Sequence, residues 1–385
     1  MNERIPGFTS TGSKRPEALF GGTGPDLPLR MLRSAGCQVW DQSGVQYTDY
    51  IMGLGAVALG YAHPAVTEAA HLAAQAGVVG PLPPVLEEQV AEKIGELMPW
   101  VESARFLKTG AEAMAAAVRI ARTHTGRERV LGSGYHGWLD WSQPAGTPGV
   151  PAGAAISGML AFNDVEQGRA QIRAAGDALA AVAFEPIVLG EPSGEWLAML
   201  RSETRRVGAL LIVDEIKTAC RLAIGGATER YGLEPDLVVM GKAIANGFPL
   251  AVVGGRREVM QAATRTWISS TLATELVSLA AAGATLQVMA AERVPAHLAR
   301  IGGRLHGGLI DLAARHERVV SRAAGIPEMC FLELAEPRSA ALAREAARRG
   351  VLFKRSAYNF VSLAHDERVV DTTLSMLDDI LSGLD

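Results

Sequence analysis

Two short apolar runs, Leu210-Leu211-Ile212-Val213 and Leu237-Val238-Val239-Met240, constrain this chain more than any other feature. Four residues are too few for a helix. Gly208 precedes the first run, and Pro235 and Gly241 bracket the second. That is the pattern of a strand buried on both faces of a parallel sheet. Yet the first run leads into Asp214-Glu215 and the second into Gly241-Lys242. Ligands of open α/β sheets bind at the carboxyl ends of the strands. The two strands therefore deliver a carboxylate and an amine to one crevice.

A lysine partly withdrawn from water favours its neutral amine and can form a Schiff base with a carbonyl. A nearby aspartate can hold a pyridinium nitrogen protonated, the state in which pyridoxal phosphate withdraws electrons. Taken singly, a surface lysine and a helix-capping aspartate would explain each residue. As a pair, each behind its own apolar run, they point to chemistry.

The stretch 214–255, DEIKTACRL…GG…YG…PDLVVMGKAIANGFPLAVVGG, resembles the signature of the class III aminotransferases. These are fold-type I pyridoxal-phosphate enzymes, and the likeness is greatest to their glutamate-1-semialdehyde aminomutase-like branch. The resemblance implies Lys242 as the Schiff-base lysine, Asp214 as partner of the pyridine nitrogen and Lys217 as neighbour of the ring hydroxyl. It also implies an α/β fold. A large domain with a mostly parallel sheet flanked by helices spans 61–290. A small α+β domain is built from both chain ends, 1–60 and 291–385.

Other segments extend the likeness. Cys37–Tyr50 holds two alternating runs around Ser43-Gly44, a hairpin signal, and is similar to a hairpin of the family. Lys108-Thr-Gly-Ala-Glu112 follows an apparent strand and opens an Ala-rich helix through Arg122. A Gly-containing turn at a helix start presents free N–H groups and the positive dipole end, suited to phosphate. An ordinary capped helix would read the same. The resemblance assigns the phosphate to the N–H groups of Gly110 and Ala111, with Ala111 standing where a hydroxyl residue is usual. Tyr135-His136-Gly137 implies Tyr135 as the ring-stacking residue and His136 as its neighbour. Glu185-Pro186, at another strand end, places Glu185 beside the coenzyme or in a structural role. Ser270 and Thr271 suit helix capping. By resemblance Thr271, with Ser270 next to it, also reaches the phosphate of the other subunit, which implies a homodimer with shared sites.

Composition narrows the partners. With 385 residues and 48% hydrophobic content the chain can bury the core of two domains. A net charge of −4 leaves no electrostatic footprint for nucleic acid. Cys37, Cys220 and Cys330 are odd in number and far apart, as for reduced thiols. Residues 1–20 carry no signal-peptide core, and no apolar stretch reaches membrane length. We therefore expect a cytoplasmic protein without membrane or nucleic-acid partners. Eight scattered histidines suggest no metal site.

Further along, helices are expected at 195–207, 272–291, 295–316 and Ser339–Arg349, with a strand at Met329–Leu334. A final helix carries Val370, Leu374, Leu377 and Leu381 on one face. The favoured function is transfer of an amino group from an amino-acid donor to an aldehyde or ketone acceptor, with Lys242 as general base and acid. The alternative is an isomerase of the same family, an aminomutase or racemase. A coenzyme-free binding protein on the same fold is disfavoured by the presence of both Lys242 and Asp214. Leu54 and Asn359 depart from the aminomutase branch, which favours transfer. Arg30, Arg33, Lys354 and Arg355 are candidates to bind a substrate carboxylate.

Overall fold

The computed structural model describes residues 4–384. In chain order the strands are β1 (Met31–Ala35), β2 (Gln38–Asp41), β3 (Gln46–Asp49), β4 (Ser103–Leu107), β5 (Arg129–Ser133), β6 (Gly158–Met159), β7 (Leu179–Phe184), β8 (Leu210–Asp214), β9 (Leu237–Met240), β10 (Ala251–Gly255), β11 (Val320–Ile326), β12 (Met329–Leu334), β13 (Val351–Leu352) and β14 (Asn359–Phe360). The chain divides into two compact units. One holds the residues up to His63 and those from Ala296 on, and the other is Pro64–Pro295.

In the Pro64–Pro295 unit a seven-stranded sheet runs β4-β10-β9-β8-β7-β5-β6. The strands from β9 to β6 are parallel. Strand β10 is antiparallel to both β9 and β4. Every residue of β7, β8 and β9 is buried, as their unbroken apolar runs require. The helix Gly110–Thr125 lays Ala113, Ala116, Ala117, Ile120 and Ala121 into the same core as Ala181, Ile212 and Val239. Its small side chains let the backbone approach the sheet closely. Truncating Ile212 to Ala in such a core costs ~2–5 kcal/mol.

Register fixes the site. Asp214 pairs with Val239, Phe184 with Val213 and Ser133 with Phe184. Four parallel strands thus end level, and Gly134–His136, Glu185, Asp214 and Gly241-Lys242 emerge along one edge.

The other unit carries a four-stranded sheet, β1-β2-β3-β13, and a three-stranded sheet, β11-β12-β14. The expected hairpin is β2–β3, antiparallel, with Val39 opposite Tyr47. In the final helix, Glu367–Ser382, Val370, Leu377 and Leu381 are buried and Leu374 partly so.

Several details differ from the sequence reading. The helix expected from 272 starts at Leu276, because Glu275 is its cap: the carboxylate accepts from Val277 N at 2.7 Å and Ser278 N at 3.0 Å. Ser270 and Thr271 lie ahead of it, exposed, and do not cap it. Strands β1, β6, β10 and β11 are not expected from the sequence. Strand β6 is two residues inside a Gly- and Pro-rich loop, β10 ends in two glycines and β11 carries Gly325 near its end.

Candidate active site

A cleft of about 450 Å³ opens at the level strand ends. Lys108, Thr109, Gly110, Ala111, Tyr135, His136, Trp138, Glu185, Asp214, Ile216, Lys217, Lys242 and Phe248 contribute to its walls. Eight of the ten residues singled out from sequence meet there: Gly110, Ala111, Tyr135, His136, Glu185, Asp214, Lys217 and Lys242. Ser270 and Thr271 do not line it.

At the floor, His136 Nδ1 is 2.7 Å from Asp214 Oδ2 and both side chains are buried. The other aspartate oxygen accepts from Ile216 N at 3.1 Å. A carboxylate beside Nδ1 fixes the tautomer with the proton on Nδ1. It also leaves Asp214 held on both oxygens at the end of β8.

Lys242 follows β9 and turns the chain sharply, with φ of +48°. A non-glycine residue in this region stores ~1–3 kcal/mol of strain, which the surrounding structure must offset. Burial pushes the amine down to about 8, and the positive charge of Lys217 adds to the shift. Asp214 and Glu185 oppose it. Roughly a tenth of the amine is therefore neutral, and nucleophilic, at pH 7, far more than of an ordinary lysine.

Glu185 joins the two sides of the cleft. One oxygen accepts from Tyr135 N at 2.8 Å, and the other pairs with Lys217 Nζ at 2.8 Å. Lys217 Nζ also donates to Ile187 O at 3.1 Å. Gly134 has φ of +99°, and a Cβ there would sit 2.5 Å from Glu185 Oε2. Glycine is thus required for Glu185 to reach the Tyr135 backbone.

Opposite, Thr109 and Glu112 form a capping box at the start of the helix Gly110–Thr125. Gly110 and Ala111, its first two residues, have N–H groups with no intrahelical acceptor. A Cβ on Gly110 would meet Ile216 Cδ1 at 2.6 Å, so glycine lets the isoleucine pack against the turn. These residues fit a flat, phosphorylated pyridine. The turn has N–H groups suited to a phosphate, and Asp214 has a carboxylate suited to a ring nitrogen. Ile216 and the exposed Tyr135, at 69%, supply apolar surface.

Sequence reasoning missed Lys108, Ile216, Trp138 and Phe248. Lys108, Trp138 and Ile216 had a signal, each lying beside a motif residue already named, and Phe248 had none. The four proposed carboxylate binders lie in the other unit. Arg30 stacks on Phe8 and Arg33 on Trp40. Lys354 Nζ donates to Ala357 O at 2.5 Å, and Arg355 is held by Glu336 and by the carbonyls of Glu17 and Ala18. Asn359 is fully buried, accepting from Lys354 N at 2.7 Å and donating to Lys354 O at 3.2 Å. Among the described residues no helix is long and apolar enough to cross a membrane.

The family profile "Aminotransferase class-III" matches residues 22–382. A glutamate-1-semialdehyde 2,1-aminomutase of Neisseria gonorrhoeae (strain NCCP11945) is 33% identical over 416 residues, covering 99% of this chain and 96% of that protein. Among solved structures, the internal aldimine form of the FumI protein of Sphingopyxis sp. MTA144 superposes with a TM-score of 0.91 at 26% identity. It covers 99% of this chain and 94% of its own. A β-phenylalanine aminotransferase of Variovorax paradoxus gives a TM-score of 0.86 at 27% identity, over 99% of this chain and 91% of its own. The chain belongs to the class III aminotransferases, enzymes that work with pyridoxal phosphate.

Proposed function

We propose that this protein moves an amino group from an amino-acid donor to an aldehyde or ketone, using pyridoxal phosphate held in the cleft at the strand ends. The observation that carries this is a partly buried lysine whose amine is pushed down to about 8, in the same cleft as a buried, doubly hydrogen-bonded aspartate. When bound, the coenzyme supplies an electron sink for the substrate Cα. Lys242 Nζ would serve as the base that takes the substrate Cα proton and as the acid that gives one back, since its neutral fraction near pH 7 suits it to both directions. Asp214, steadied by His136, keeps the pyridine nitrogen protonated. Gly110 and Ala111 N–H groups would hold the phosphate, Tyr135 would stack on the ring, and the Lys217–Glu185 pair would serve the ring hydroxyl.

The working form is a homodimer. Ser270 and Thr271 are exposed and flanked by Trp267 and Leu272, large apolar side chains that are 80% and 50% exposed. A second copy covering this segment would bury that surface and bring Thr271 to its partner's phosphate. The chain-end segments 1–60 and 291–385 serve as the small domain and 61–290 as the large coenzyme-binding domain, and the protein works in the cytoplasm.

An isomerase reading has its own support, because the N. gonorrhoeae relative is an aminomutase. Asn359 weighs against it. Its side chain is spent on the backbone of Lys354, leaving no carboxylate at this departure from the aminomutase branch. The two readings separate when holoenzyme is mixed with glutamate, glutamine or alanine and no second substrate. A transferase forms the matching keto acid in amounts equal to enzyme. An isomerase forms none, and converts one amino compound without a donor.

A further inference from the structure

We propose that Lys108 is a phosphate-binding residue of this cleft, supplying by charge what the turn at Thr109–Ala111 lacks in hydroxyl groups. The proposal rests on the reading of the cleft as the pyridoxal-phosphate site.

At this turn Ala111 has no hydroxyl. Thr109 has one, but it is spent within the cap: Oγ1 accepts from Glu112 N at 3.2 Å and donates to Glu112 Oε2 at 3.0 Å. A phosphate at the turn therefore finds neutral backbone N–H groups and, across the wall, cations. Among the described residues lining the cleft the cations are Lys108, Lys217 and Lys242. Lys217 is committed to Glu185 and Ile187. Lys242 is pushed towards its neutral amine. Lys108 directly precedes the turn, and its side chain is largely buried.

Lys108 Nζ donates to Glu275 Oε1 at 2.7 Å. Glu275 does not line the cleft, and the same carboxylate caps the helix Leu276–Ala291. One ammonium hydrogen is engaged by Glu275, and an ammonium carries two more that can serve an anion. The helix cap thus pre-positions the ammonium, which lowers the entropy lost when the phosphate binds.

The alternative is a purely structural bridge between turn and helix. Equilibrium binding of pyridoxal phosphate and of pyridoxal, which lacks the phosphate, separates the two. For K108M we expect the affinity for pyridoxal phosphate to fall on the order of 10- to 100-fold, the loss of a charge-assisted contact. Pyridoxal should change less than about 3-fold, well under one such contact. K108R should keep most of the preference for the phosphorylated form, and E275Q, which breaks the bridge but keeps the cation, should keep it too. An equal loss for both ligands, no loss, or an E275Q that matches K108M would overturn the proposal. A second measurement needs no variant. In the coenzyme-free wild type, inorganic phosphate should protect Lys108 from acetylation while leaving Lys14 and Lys93 labelled. Absence of protection would also overturn it. Failure of wild-type protein to bind pyridoxal phosphate at all would instead reject the reading of the cleft.

Discussion

The imidazole of His136, just past β5, holds the carboxylate of Asp214, at the end of β8, at 2.7 Å across the end of β7, with both side chains buried. His136 therefore sets where the anion points, while β8 sets where it starts. Replacing Asp214 by Ala should lower kcat by ~10²–10³-fold, the scale of losing one preorganised electrostatic partner. His136→Phe leaves the carboxylate in place but unsteadied, and should cost less, on the order of 10-fold. Steady-state kinetics on both variants checks the order. Asp214→Ala with near wild-type turnover would remove the aspartate from the chemistry.

The lysine leaves a trace in stability. Its folded pKa of about 8 lies below the ordinary 10.5, so between those values the unfolded chain binds the extra proton. Stability from this group therefore rises with pH across that window, and the burial penalty is present in full below it. Coenzyme-free Lys242→Met should be more stable than coenzyme-free wild type at pH 7, by ~1–3 kcal/mol. The gap should shrink as pH climbs from about 8 towards 10.5. Thermal melts of the two proteins over that range decide it, and a gap constant with pH would mean that Lys242 is not desolvated.

Much of this site was legible because β8 and β9 are buried on both faces. Their apolar runs left Asp214 and Lys242 conspicuous at the ends. Helix capping was not legible in the same way. Thr271 looks like a cap by residue type, yet Glu275 does that work, because the choice depends on which carboxylate the fold brings to the first turn and on Lys108 beside it. Strand β10 was hidden for another reason: as an antiparallel strand ending in two glycines it offers neither a long run nor an alternation. Ile216 is an apolar residue between two charged ones, and only the fold shows that its packing against Gly110 shapes the wall.

Thr271 makes the dimer testable. Thr271→Ala should weaken coenzyme binding about 10-fold, one hydrogen bond to a charged group, without changing the sedimentation coefficient. Wild-type protein should sediment as a dimer at concentrations where it is active. A fully active monomer would contradict shared sites.

Everything above turns on which amine carries the coenzyme. Borohydride reduction of the purified holoenzyme, followed by peptide mapping, reads this directly. We expect the pyridoxyl mass on Lys242 alone, and Lys242→Ala to bind coenzyme that reduction leaves unattached. Label on Lys217 or Lys108, or none on the wild-type chain, would contradict the assignment.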